Sequence, residues 1–133
     1  MVELKVMTKH IPVLLEETRA MLHLEKGMTV VDATLGGGSH TAMMLSAVAP
    51  GRVIALDTDA QAIARFAERV ASDPVLSLAS REGRLVVVKR NYSELEAVCE
   101  ELGIEKVDAI LADLGYSSDQ IEAPDRGLSF QEE

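Results

Sequence analysis

The stretch Val30-Val31-Asp32-Ala33-Thr34-Leu35-Gly36-Gly37-Gly38-Ser39-His40 decides how this chain is read. It starts as a β-branched apolar run, reaches an acidic residue and breaks at three successive glycines, after which a helical pattern starts near Ser39. Glycine lacks Cβ, so the backbone there can turn sharply and let a ligand come close. A helix that follows at once aims its first amide N–H groups, which have no intrahelical acceptor, at whatever sits over the loop. A pyrophosphate or a carboxylate would each suit that electropositive end. Spacing narrows the choice. The dinucleotide fingerprint G-x-G-x-x-G, begun at Gly36, needs a small residue where Thr41 stands, and the pattern G-x-x-x-x-G-K-[ST] is absent.

Outward from this motif, strand and helix patterns alternate. His10 to Leu22 places Ile11, Leu14, Leu15, Thr18 and Leu22 on one helical face, with Pro12 suited to the first turn. Thr29 to Leu35 reads as the first strand, and Ser39 to Val48 as a helix closed by Pro50-Gly51. Arg52 to Leu56 reads as the second strand and ends at Asp57. Asp59 is placed to cap the next helix, where Ile63, Phe66 and Val70 share a face. Ser72 to Gly83 reads as mixed and loop-like, with room for a short helical turn. Leu85 to Val88 is the third strand, Tyr92 to Leu102 a helix stopped by Gly103, and Val107 to Leu111 the fourth strand, ending at Asp113. From Leu114 onward neither period survives, so a long loop is expected.

Strands joined by helices require right-handed parallel crossovers, which build an open α/β sheet with helices on both faces. The expected order is 3-2-1-4, with the topological switch between the first and fourth strands. Ligands bind such sheets at the carboxyl ends of the strands, near that switch. The glycine loop through His40, Asp57, Tyr92 and Asp113 all fall at those ends. Asp57 follows the loop by about 20 residues, the place where an acid accepts protons from ribose hydroxyls. The apolar fourth strand reads as a bare sheet edge, and bare edges recruit other strands. Further strands, or a homodimer formed through that fourth-strand edge, are therefore expected.

The 133 residues, 47% hydrophobic and 26% charged, amount to one domain able to bury a core. Lysine and arginine number 13 against 22 acidic residues, a net charge of −9. That balance argues against a broad grip on nucleic acid, which needs a basic footprint. A single cysteine, Cys99, excludes an intrachain disulfide, and the default compartment is the cytoplasm. Its setting among Leu95, Val98 and Leu102 reads as a helix stripe packed in the core. No apolar run approaches the about 20 residues needed to span a membrane, and no export signal is evident. His10, His23 and His40 are too dispersed for a metal site, and none is expected.

The arrangement Asp-x-Thr-x-Gly-x-Gly, at Asp32 to Gly38, resembles the first motif of Rossmann-like class I methyltransferases, where the strand-end acid helps to place the amino-acid part of the cofactor. Two further segments are more specific. Asp113-Leu114-Gly115-Tyr116-Ser117-Ser118-Asp119-Gln120 follows the fourth strand, and Arg126-Gly127-Leu128-Ser129-Phe130 lies near the end. With His10-Ile11-Pro12-Val13-Leu14-Leu15 at the start, they make nearly the whole chain resemble the amino-terminal part of bacterial small-subunit ribosomal RNA cytosine-N4 methyltransferases. The resemblance implies S-adenosyl-L-methionine as cofactor. It implies contacts to it from Gly38, Ser39 and His40, its ribose on Asp57, its adenine against Tyr92, and Asp113 and Gln120 completing the site. The implied reaction is methylation of a cytidine amino group in small-subunit ribosomal RNA. Ser39 replaces a common glycine, Tyr116 a small aliphatic residue and Asp119 a usual proline. Tyr116 makes Asp-Leu-Gly-Tyr approach the Asp-Pro-Pro-Tyr pattern of other amino-group methyltransferases. No catalytic residue is singled out.

The family is longer than this chain, with a helical insertion and more strands after the Phe130 region. The chain therefore reads as one truncated cofactor-binding domain, with RNA contacts largely elsewhere, and is expected to be inactive alone. The alternatives are a non-catalytic cofactor-binding module and a small-molecule methyltransferase, the latter favoured weakly by the acidic charge.

Overall fold

Successive side chains of a strand point to opposite faces, so a strand apolar at every position needs cover on both sides. The computed structural model describes residues 4–7 and 15–113, with side chains from 15 to 112. Its strands are β1 (Leu4–Met7), β2 (Thr29–Asp32), β3 (Arg52–Asp57), β4 (Leu85–Lys89) and β5 (Ala109–Asp113). They form one five-stranded sheet in the order β1-β5-β2-β3-β4, and every pairing is parallel. The four strands expected from the sequence are β2 to β5, and they stand in the expected order 3-2-1-4.

The helices are α1 (Leu15–Leu22), α2 (Ser39–Val48), α3 (Ala60–Ser72), α4 (Pro74–Arg81) and α5 (Leu95–Leu102), with a 3₁₀ turn at Tyr92–Glu94 before α5. The alternation of strand side chains divides the core in two. Val30, Val53, Ala55, Ala109 and Leu111 meet Leu22, Met44, Leu45, Phe66 and Leu76 from α1 to α4. Val31, Ile54, Leu56, Ile110 and Ala112 face the other way, onto Leu95 and Val98 of α5. The crossover from β4 returns past β2 and β3 to reach β5, which puts α5 on the opposite face and opens the crevice between β2 and β5.

The bare-edge expectation is corrected. β1 lies along β5 in parallel register, with Leu4 opposite Ile110 and Met7 opposite Asp113. β5 is thus an inner strand, and the premise of a homodimer through its edge is removed. Four residues before the first helix carry too short a period to be read locally.

Ser72 to Gly83 is also corrected, since it contains the two-turn helix α4. Asp73 caps it by accepting from the amides of Val75 and Leu76, and Pro74 takes the first helical position. That pair was a legible start signal. The first strand ends at Asp32 rather than Leu35 because the chain then crosses the sheet end. The Ala33 amide donates to Leu111 O and the Leu35 amide to Leu56 O. Asp59 caps α3 as expected, accepting from the Gln61 amide at 2.8 Å. The expected start of the first helix (residues 10–14), the long loop, Tyr116, Gln120 and the Arg126 to Phe130 segment lie outside the described residues.

Candidate cofactor site

The three glycines of the loop have three different surroundings. Gly36 has φ +51, and its amide donates to Asp57 Oδ2 at 2.9 Å. Gly37 is exposed, has no positive φ, and a Cβ placed on it would meet nothing within 4 Å. Gly38 is buried at φ +89, its amide donates to Leu35 O, and a Cβ there would lie 2.3 Å from the Phe66 ring. The third glycine is therefore required by core packing, and the open approach to the loop is over Gly37. Sequence reasoning placed Gly38 against the cofactor and omitted Gly37. The packing of Phe66, far along the chain, is what separates the two.

Beneath the loop, Asp32 is 1% exposed. Its carboxylate accepts from the Thr34 amide at 3.1 Å and from the Thr41 hydroxyl. Thr41 is itself fully buried on the first turn of α2. Burying a carboxylate is costly unless donors surround it, and these donors tie the end of β2 to the start of α2. Thr41 appeared in the sequence only as the residue that spoils a dinucleotide fingerprint.

Ser39 and His40 open α2, where helix amides lack intrahelical acceptors. Ser39 is exposed; His40 is half-buried, its Nε2 3.4 Å from the Thr18 hydroxyl of α1. Asp57, at the end of β3, uses both oxygens: Oδ2 takes the Gly36 amide and Oδ1 the Asp59 amide, each at 2.9 Å. It therefore braces the glycine loop from the neighbouring strand. Lys89 is the register partner of Asp57, so the chain leaves β4 beside this carboxylate and reaches Tyr92 three residues later. Tyr92 is half-buried against the α5 side of the core. Asp113 ends β5, next to β2 in the sheet.

The structure thus brings Ser39, His40, Asp57, Tyr92 and the backbone of Asp113 to one end of the sheet. Among the described residues no cluster of His, Cys, Asp or Glu could hold a metal ion, and no helix is long and apolar enough to cross a membrane. Cys99 packs against the core; burial pushes its thiol pKa up, partly offset by the charge of Arg52.

A parallel sheet in this order, with a glycine loop after its central strand and an acid at the end of the next, is the Rossmann-like fold of class I methyltransferases. The chain belongs to the MraW methylase family, whose model matches residues 7–133. It is similar to ribosomal RNA small subunit methyltransferase H of Geotalea daltonii, 44% identical over 124 residues, 92% of this chain and 37% of that protein. The protein of the same name from Desulfotalea psychrophila is 43% identical, over 92% of this chain and 39% of its own length. The chain therefore spans well under half of these relatives. A Clostridium thermocellum structure described as an rRNA-methylase superposes with a TM-score of 0.66 at 27% identity, covering 90% of this chain and 62% of the other. A Streptococcus mutans structure in complex with SAH gives 0.61 at 18% identity, over 90% of this chain and 65% of the other, a likeness of fold.

Proposed function

We propose that this chain is the cofactor-binding domain of an S-adenosyl-L-methionine-dependent methyltransferase that acts, in the cytoplasm, on the N4 amino group of a cytidine in small-subunit ribosomal RNA. The observation that carries this reading is the Asp57 carboxylate, held at the mouth of the glycine loop with one backbone N–H on each oxygen. An ionised carboxylate offers about four lone-pair sites, so acceptor capacity remains for the two hydroxyls of a ribose. Gly37 leaves room for close approach, and the start of α2 at Ser39 and His40 suits the carboxylate of the methionine part. Tyr92 follows the carboxyl end of β4, the strand beside Asp57, and is proposed to lie against the adenine. Asp113 and Gln120 are proposed to complete the site, with Gly38 acting through the loop it shapes.

When bound, S-adenosylmethionine supplies an electrophilic methyl group on a sulfonium. The work of the protein is placement. The cytosine amino group is a poor nucleophile because its lone pair is delocalised into the ring. An acceptor aimed at its N–H groups localises that pair, and alignment with the methyl group removes much of the entropic barrier. The end of β5 at Asp113 faces the crevice where such an acceptor belongs. A cytosine in folded RNA has to be unstacked to reach it.

One fact favours a second, narrower reading, that of a cofactor-binding module without turnover of its own: the net charge of −9 gives little hold on RNA. In both readings the cofactor site is the same.

Calorimetry tests it. S-adenosylhomocysteine should bind in preference to a nicotinamide dinucleotide. Asp57→Ala should weaken binding by about 1–3 kcal/mol, the loss of hydrogen bonds to a charged acceptor. Tighter binding of the dinucleotide, or unchanged affinity in a folded Asp57→Ala variant, would overturn the assignment.

A further inference from the structure

Arg90 joins three parts of the fold that the sequence keeps apart. It follows the last residue of β4. Its Nε donates to Glu94 Oε1 at 2.9 Å, and its two terminal nitrogens donate to the two oxygens of Glu101 at 3.0 and 3.2 Å. Glu94 closes the 3₁₀ turn, and its other oxygen receives the Asn91 amide at 3.4 Å while Asn91 Oδ1 accepts from the Ser93 amide at 2.8 Å. Glu101 sits in the last turn of α5, a helix anchored on the sheet by Leu95 and Val98. Tyr92 lies inside this ring of bonds, between the capping Asn91 and Glu94.

Stability is a poor explanation for the arrangement. The Arg90, Glu94 and Glu101 side chains are 30%, 47% and 59% exposed, and exposed ion pairs contribute little to folding. The two-pronged Arg90–Glu101 contact does contribute orientation, because a planar guanidinium meets a carboxylate in one geometry. What it orients is the short turn that carries Tyr92 just past the carboxyl end of β4, the strand beside the one that ends at Asp57.

We propose that Arg90, through Glu94 and Glu101, is a positioning residue that holds Tyr92 as the platform for the adenine of the cofactor. The proposal rests on the function proposed above, and it predicts that Arg90 and Tyr92 act on binding as one unit. Lysine cannot replace Arg90, because a point charge cannot hold Glu94 and both oxygens of Glu101 at once.

The protein supplies its own reporter: the sequence contains two tyrosines and no tryptophan. Tyrosine fluorescence follows S-adenosylhomocysteine binding in the unaltered chain, and calorimetry gives the affinities of each variant. Tyr92→Ala should weaken binding roughly tenfold or more, the effect of losing one base–aromatic stack. Arg90→Ala should weaken it about three- to tenfold when Tyr92 is present and less than about twofold in the Tyr92→Ala chain, the signature of a coupled pair. Glu101→Gln, an exposed and nearly isosteric change, should act in the same direction, and Arg90→Lys should not restore affinity. Equal losses from Arg90→Ala with and without Tyr92, or unchanged affinity in both Arg90→Ala and Glu101→Gln, would overturn the role of Arg90 while leaving the cofactor site standing. If S-adenosylhomocysteine fails to bind the unaltered chain, or Tyr92→Ala binds it as well as the parent, the underlying site assignment falls and this role with it.

Discussion

Replacing Gly38 by alanine should destabilise the protein sharply, while the same change at Gly37 should not. At Gly38 the backbone has φ +89, in the left-handed half of the map, where a Cβ costs about 1–2 kcal/mol. The new methyl group would also stand 2.3 and 2.4 Å from two carbons of the Phe66 ring. That ring is 2% exposed and belongs to the core between α1–α4 and the sheet, so it has little room to withdraw. Overpacking of this kind costs about 1–3 kcal/mol, which brings the expected loss to about 2–5 kcal/mol. At Gly37 neither contribution arises, and the smaller entropy of the unfolded chain favours alanine by up to about 1 kcal/mol. Urea unfolding followed by circular dichroism measures both through the shift in midpoint at constant slope. Phe66→Leu should recover part of the Gly38→Ala loss, leaving the backbone contribution behind. Equal midpoint shifts for Gly37→Ala and Gly38→Ala would refute the division of labour between the two glycines.

Thr41→Val should cost about 1–3 kcal/mol, because it removes a donor from the buried Asp32 carboxylate while keeping the side-chain volume. Thr41→Ser should retain most of the stability, and indistinguishable unfolding midpoints for the two variants would show the hydroxyl to be idle. Hydrogen bonding to Arg90 holds the Glu101 carboxyl below the usual glutamate value of 4.5. A depressed carboxylate favours the folded state above its unfolded pKa, and that contribution disappears as pH falls through the folded value. A carbon-detected NMR titration should therefore find Glu101 titrating below 4.5 and rising towards that value in Arg90→Gln. The same midpoint in both chains would mean the pair is not formed in solution.

Much of this protein was open to reading along the chain, because the deciding signals are local. Apolar runs of strand length, the glycine break at Gly36 to Gly38, Asp59 at a helix start and Gly103 at a helix end each act within a few residues, and the parallel order follows from strand–helix alternation and the handedness of crossovers. The resemblance to a methyltransferase family rested on the same short motifs, and the family match over residues 7–133 bears it out. Asp73-Pro74 was equally local, and its helix was legible though not assigned.

Tertiary structure alone decided what depends on groups distant in sequence. Leu4–Met7 became the strand that covers β5 because only the assembled sheet offers it an edge. Gly38 turned inward because Phe66 arrives beneath it from α3. Asp57 gained the Gly36 amide from 21 residues away, and Arg90 gained Glu101 from 11 residues away. Residue spacing specifies the period of an element and the face a side chain takes. Which partner waits on that face is set only when the layers pack, since hydrogen bonds and ring contacts depend on distances that the sequence does not contain.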